Sequence, residues 1–217
     1  MNKLAIFDHD GLMVNSEDIA YAALSEIFAE HGYLFPWDYY VTSVGLPVAD
    51  AVTMFLRDLP IPLSAAELRD QRDQRMTALR EREMRLMPGL AELLDDLKAS
   101  DVPMAVATSG SRPYITWSLR HFGLAHYFDA VTCIDDVPRG KPHPDLILKA
   151  LELTATPPEH AVMLEDSPHG VEAAYRAAVR CIAVPTRGIA LSGFTRASAV
   201  VASLVECRPL LTQWLAQ

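Results

Sequence analysis

Asp8 and Asp10 stand one residue apart where the apolar run "LAIF" gives out, in "IFDHDGL". Two carboxylates that close repel each other, and each resists burial unless something balances its charge. A cation between them answers that, and so does a reaction that uses them in different roles. Three more stretches carry groups of matching chemistry. Thr108 and Ser109 follow "VPMAVA", Lys141 opens "KPHPD", and Glu165 and Asp166 close "HAVML". Four acids, one lysine and two hydroxyls thus stand at the ends of apolar runs or just beyond them.

Gathered in one place, Asp8, Asp10, Glu165 and Asp166 would repel unless a hard divalent cation sat among them, and oxygen ligands suit Mg²⁺. Lys141, the Thr108 hydroxyl and nearby backbone N–H groups supply positive charge and donors. That combination suits a phosphoryl group, whose oxygens need such contacts in the transition state. A carboxylate can itself attack phosphorus and form an aspartyl-phosphate, and a second acid two residues on can donate and accept protons. The two aspartates therefore read as different in role: Asp8 attacks and Asp10 moves the proton. Gly11 lets the chain turn sharply after them. Taken singly, each group has a plainer reading. Two acids on a turn are usually exposed, a lone lysine is usually solvated, and Thr108 or Asp166 could serve as a helix cap. Their joint placement at successive strand ends outweighs those readings.

The elements that must position these groups follow from the pattern of apolar residues. Residues 3–7, 102–110, 128–134, 160–167, 180–185 and 199–203 read as strands. Residues 88–100, 112–123, 141–154, 168–179 and 208–216 read as helices between or after them. Strands alternating with helices imply a parallel sheet covered on both faces, which binds ligands at the carboxyl ends of its strands. Residues 16–84 carry no strand signal. A helix from Ser16 as N-cap to about Gly32, a second over 47–59, and a third over 62–84 with Ser64 and Glu67 as a capping box make this stretch an insertion after the first strand. The expected organisation is an α/β core of residues 1–14 and 86–217, with a helical cap of residues 15–85.

Composition narrows the class. The 217 residues are half hydrophobic, enough for a sizeable core, and carry a net charge of −9. That balance argues against nonspecific binding to nucleic acid or to an anionic membrane surface. The three cysteines, Cys133, Cys181 and Cys207, form no CxxC pair, which fits a reducing compartment. Asp8 ends the first apolar run too early for a signal peptide, and no apolar run is long enough to span a bilayer. The expectation is a cytoplasmic monomer that acts on a small phosphorylated metabolite.

The stretches "FDHDGLMVNSE", "AVATSGS", "KPHPD" and "MLEDSPHGVEAA" together resemble the haloacid dehalogenase superfamily of phosphohydrolases, in the family's order and over nearly the whole chain. The sequence is most similar to the branch that holds β-phosphoglucomutase and small sugar-phosphate phosphatases. The resemblance implies a Rossmann-like core with a helical cap inserted after the first motif. It implies Asp8 as nucleophile and Mg²⁺ ligand, and Asp10 as general acid/base with its backbone carbonyl on the metal. Thr108 and Lys141 would hold the phosphoryl group, Asp166 would ligate Mg²⁺, and Glu165 would do so directly or through water.

Some positions depart from the family pattern. His9 lies between the aspartates where the family varies, Asn15 stands where Asp is common, and Ala178 stands where a glycine commonly ends a helix. Val48 and Ala20 stand near where the mutases carry an arginine and a histidine, which favours hydrolysis over phosphoryl transfer to a second sugar hydroxyl. A non-catalytic sensor of a phosphorylated ligand is a third class, disfavoured because every catalytic position is filled. In the cap, Ser43, Val44 and Gly45 are expected to form a loop over the site. Arg69, Arg72 and Arg75 read as a solvated face, with the alternative that Arg72 reaches the substrate. The remaining histidines show no metal-ligand spacing, and Phe35, Trp37, Tyr39 and Tyr40 read as packing between cap helices.

Overall fold

The computed structural model of the protein describes residues 3–215. The ends of the expected core, residues 1, 2, 216 and 217, and with them the last residue of the expected closing helix, lie outside the described residues. By contacts the chain divides into two units. Asn15–Arg85 and Arg187–Ile189 form a helical unit, and the remaining described residues form a sheet unit.

In the helical unit α1 (Ser16–Glu30), α2 (Trp37–Tyr40), α3 (Val48–Asp58) and α4 (Ala65–Glu83) follow one another without a strand among the described residues. Helix α4 opens on the capping box read from sequence: Ser64 Oγ accepts from the Glu67 amide, and Glu67 Oε2 accepts from the Ser64 amide at 2.8 Å. That satisfies two N–H groups that the helix start would otherwise leave without partners. Helix α1 begins one position earlier than its sequence suggests. Asn15 occupies the cap position, but its side chain is committed elsewhere: Oδ1 accepts from the Arg85 amide at 2.7 Å. The core of this unit is aromatic, with Phe28 stacked on Phe35 at 4.8 Å and Phe55 edge-on to Phe35 at 5.1 Å. Arg187–Ile189 groups here because Trp37 Nε1 donates to the Arg187 carbonyl at 3.1 Å and the Arg187 guanidinium lies over the Trp37 ring.

The sheet unit holds β1 (Leu4–Phe7), β2 (Met104–Ala107), β3 (Ala130–Thr132), β4 (Ala161–Glu165), β5 (Arg180–Ala183) and β6 (Ala199–Val200). Their order is β3-β2-β1-β4-β5-β6, and every pairing is parallel. Strands β1, β2 and β4 are buried at every position, as the unbroken apolar runs require of a sheet covered on both faces. Leu4, Ile6 and Phe7 are fully buried, each worth about 1.5–3 kcal/mol relative to exposure. Helices α5 (Leu90–Ala99), α6 (Arg112–His121), α7 (Asp145–Leu153), α8 (Pro168–Arg176) and α9 (Leu204–Leu215) complete the unit.

Helix α9 starts four residues before the expected Arg208 and takes in Pro209. Ser203 sits just ahead of it, and Leu204, Cys207, Leu211 and Trp214 recur at helical spacing and are all buried. Burial of that stripe outweighs the local signal of the proline. No helix among the described residues is long and apolar enough to cross a membrane.

The strand order reverses between β1 and β4, which pair from Leu4↔Ala161 to Phe7↔Leu164. In an open parallel sheet that reversal leaves a crevice at the carboxyl ends of the two strands. Asp8 follows β1 directly, and Glu165 is the last residue of β4.

Candidate active site

The ladder between β1 and β4 runs one step past β1, since the Asp8 amide donates to the Leu164 carbonyl at 3.0 Å. This pins Asp8 beside the end of β4. Oxygens of Asp8, Glu165 and Asp166 all lie within 4.8 Å of one another, and all three residues are buried. Lys141 reaches the same place from the loop that precedes α7. Its Nζ donates to Asp8 Oδ1 at 2.5 Å and to Glu165 Oε2 at 2.7 Å.

Glu165 is held at both ends of its carboxylate. Oε1 accepts from the Asp166 amide at 3.2 Å, the Ser167 amide at 3.1 Å and Ser167 Oγ at 2.8 Å. Ser167 in turn caps α8, accepting from the Gly170 amide at 3.1 Å. Asp166 Oδ2 accepts from Thr186 Oγ1 at 2.6 Å. Two glycines make room for these acids. A Cβ on Gly11, whose φ is +75°, would lie 2.1 Å from Asp166 Oδ2, and a Cβ on Gly170 would lie 1.9 Å from Glu165 Cδ.

Electrostatics follow from the burial. Burial first, then the Glu165 charge, push the Asp8 carboxyl up to about 7, against the pull of Lys141. Burial works against the Lys141 charge too, but the attraction of Asp8 and Glu165 together with its hydrogen bonds raises it above the ordinary lysine value. With Asp8 ionised, three carboxylates against one ammonium leave two negative charges in a buried cluster. The donors are all hard oxygens, the deficit is that of one divalent cation, and the glycine cradle keeps the carboxylates together. These residues fit Mg²⁺.

Asp10 stands apart from that trio. Its Oδ1 accepts from the Tyr114 hydroxyl at 2.8 Å, and its side chain is about a third exposed. On β2 the chain ends at Ala107, and Thr108 Oγ1 is buried, accepting from the Gly110 amide at 3.0 Å. Ser109, next to it, is exposed. A buried carboxylate with a lysine on it, a second carboxylate two residues along, and a hydroxyl on the neighbouring strand end can carry out nucleophilic attack and proton transfer.

Comparison with known proteins gives the family. Residues 5–184 match the haloacid dehalogenase-like hydrolase family. The chain belongs to that family. Protein CbbY of Cereibacter sphaeroides is 35% identical over 197 residues, covering 85% of this chain and 85% of its own. The phosphorylated carbohydrates phosphatase of Thermotoga maritima is 30% identical over 184 residues, covering 82% of each. The crystal structure of CbbY from Rhodobacter sphaeroides in complex with phosphate superposes with a TM-score of 0.75 at 33% identity, covering 95% of this chain and 96% of that one.

In this member of the haloacid dehalogenase-like hydrolases the sheet unit brings together Asp8, Lys141, Glu165 and Asp166, with Asp10 and Thr108 on the adjoining loops. Ser43, Gly45 and Arg72 belong to the helical unit. There Ser43 is buried and its hydroxyl donates to the Tyr40 carbonyl, Gly45 adopts φ +87°, and the Arg72 guanidinium pairs with Asp73. Nothing in the residue pattern signals that Tyr114, Ser167, Gly170 and Thr186 lie against the acids. For Gly170 a signal existed: a glycine inside the first turns of a helix costs stability against alanine and needs a reason.

Proposed function

We propose that the protein is a Mg²⁺-dependent phosphomonoester hydrolase of small phosphorylated metabolites, sugar phosphates foremost, working through an aspartyl-phosphate. The observation that carries this reading is Asp8, buried and ion-paired to Lys141 inside a carboxylate cluster with a dication's worth of unbalanced charge. The relatives support it: one is named a phosphatase of phosphorylated carbohydrates, and another was crystallised with phosphate.

Asp8, Glu165 and Asp166, with the Asp10 backbone, would hold Mg²⁺. When bound, the ion would offset charge on the phosphoryl oxygens and keep Asp8 ionised against the burial that raises it. An Asp8 oxygen attacks phosphorus, and the bond from phosphorus to the sugar oxygen breaks. Asp10 gives its proton to that departing oxygen. Lys141 and Thr108 hold the phosphoryl oxygens throughout. Asp10, now a carboxylate, takes a proton from a water that attacks the same phosphorus. The bond to Asp8 breaks, and inorganic phosphate leaves with Asp8 restored.

The test is phosphate release from glucose 6-phosphate, ribose 5-phosphate, xylulose 5-phosphate and glycerol 3-phosphate, with Mg²⁺ and with EDTA. Release that EDTA stops, and that Asp8→Asn abolishes in a folded protein, is the expected result. Turnover surviving Asp8→Asn overturns the nucleophile, and release indifferent to EDTA overturns the metal.

A further inference from the structure

Asp10 sits on a turn with its side chain partly exposed, yet a group that moves a proton in the transition state must present one oxygen in one direction. Something has to set the plane of its carboxylate. The Tyr114 hydroxyl donates to Asp10 Oδ1 at 2.8 Å from the first turn of α6. The Tyr114 ring is itself held on two sides. His9 meets it edge to face, with centroids 5.4 Å apart and planes at 88°, and Trp117 stacks on it at 6.4 Å and 22°.

His9 has little freedom to yield. It is fully buried, and its Nε2 shares a hydrogen bond of 2.8 Å with Ser118 Oγ, also buried. Its Nδ1 lies 3.5 Å from the same Asp10 Oδ1 and makes no hydrogen bond. Tyr114, Trp117 and Ser118 stand three and four residues apart on α6, so one helix face carries Tyr114, the ring stacked on it and the partner of His9.

We propose that Tyr114 is a positioning residue for Asp10, fixing the carboxylate plane so that Asp10 protonates the departing sugar oxygen, with His9 and Trp117 holding the Tyr114 ring. This rests on the reading of Asp10 as the proton-transfer group of a phosphohydrolase. It gives His9, between the two aspartates, a mechanical role in place of a chemical one.

The leaving group separates this from mere packing. An alkyl phosphate needs its leaving oxygen protonated, whereas p-nitrophenolate departs without a proton. The ratio kcat/KM covers the steps up to departure of the alcohol or phenol, so it isolates that proton. Tyr114→Phe keeps the ring and removes the hydroxyl. It should lower kcat/KM for the sugar phosphate turned over fastest in the panel above by about 10- to 100-fold, a part of the 10²–10⁴ that general acid–base catalysis supplies. For p-nitrophenyl phosphate kcat/KM should hold, and so should the melting temperature. An equal fall for both esters, or no fall for either, overturns the proposal while leaving the phosphatase reading intact. A wild-type protein that releases phosphate from neither ester overturns both.

Discussion

Gly170→Ala should destabilise the protein through a single collision. A Cβ at that position would lie 1.9 Å from Glu165 Cδ, 2.0 Å from Oε2 and 2.4 Å from Oε1. Ordinary carbon contacts begin near 3.5 Å, so the carboxylate must retreat by about 1.5 Å or more. It cannot do so and keep its partners. Oε2 holds Lys141 Nζ at 2.7 Å, while Oε1 holds two amides and the Ser167 hydroxyl. Hydrogen bonds to a charged group contribute about 1.5–3 kcal/mol each, so losing two costs about 3–6 kcal/mol. Alanine returns about 1 kcal/mol of helix preference over glycine. The net is a loss of about 2–5 kcal/mol, read as a lower midpoint in urea at unchanged slope. A double-mutant cycle identifies the cause. In a Glu165→Ala background the collision partner is gone, and Gly170→Ala should become neutral or stabilise by up to about 1 kcal/mol. Equal loss in both backgrounds, or no loss in the parent, would refute the reasoning.

Two more outcomes are expected. Without divalent cation, Asp8 retains its proton in the folded chain up to about pH 7, whereas the unfolded chain releases it near the ordinary 3.8. The contribution of Asp8 to stability is therefore fully present below about pH 4 and is lost as pH rises to about 7. Melting temperatures in EDTA should decline across that window more steeply for the parent than for Asp8→Asn, and millimolar Mg²⁺ should flatten the difference; parallel curves for the two proteins would contradict the raised Asp8. Separately, Ala178 ends α8 at φ +57°, with its amide on Tyr175 and the Val179 amide on Ala174, the double hydrogen bond of a glycine-type helix end. A left-handed non-glycine residue costs about 1–2 kcal/mol, and the freer unfolded chain of a glycine variant takes back about 0.4–1 kcal/mol. Ala178→Gly should raise stability by about 1 kcal/mol in urea titration, and a loss would show that the Ala178 methyl packs usefully.

The sheet was legible because its physics is local in sequence. A run such as "LAIF" or "AVML" is apolar at every position, as a strand covered on both faces requires; it was then a short step to the acids at its end. The helical unit was legible as helix for a related reason, since Ser64 and Glu67 announce their capping box three residues apart. Ends were less so. The expected strand over 102–110 runs only from Met104 to Ala107, because the small polar residues Thr108, Ser109 and Gly110 turn the chain, with the Gly110 amide on Thr108 Oγ1. Helix α9 starts earlier than its sequence suggests, because Pro209 reads as a start while the buried stripe from Leu204 decides otherwise.

What sequence did not disclose is the set of contacts between distant residues that share no pattern. Tyr114 reads as one aromatic among several on α6, and its hydroxyl meets Asp10 across 104 positions of chain. Thr186 lies past the last strand that carries an acid, and only the β5 turn returns it to Asp166. Ala178 is the instructive middle case. Its departure from the glycine common at that helix end could be read, but that the backbone there keeps the left-handed conformation, at φ +57°, could not. The candidate residues for the chemistry were visible because acids and a lysine at strand ends need an explanation. Those that contact them were not, because a tyrosine, a threonine or a glycine needs none until its neighbour is known.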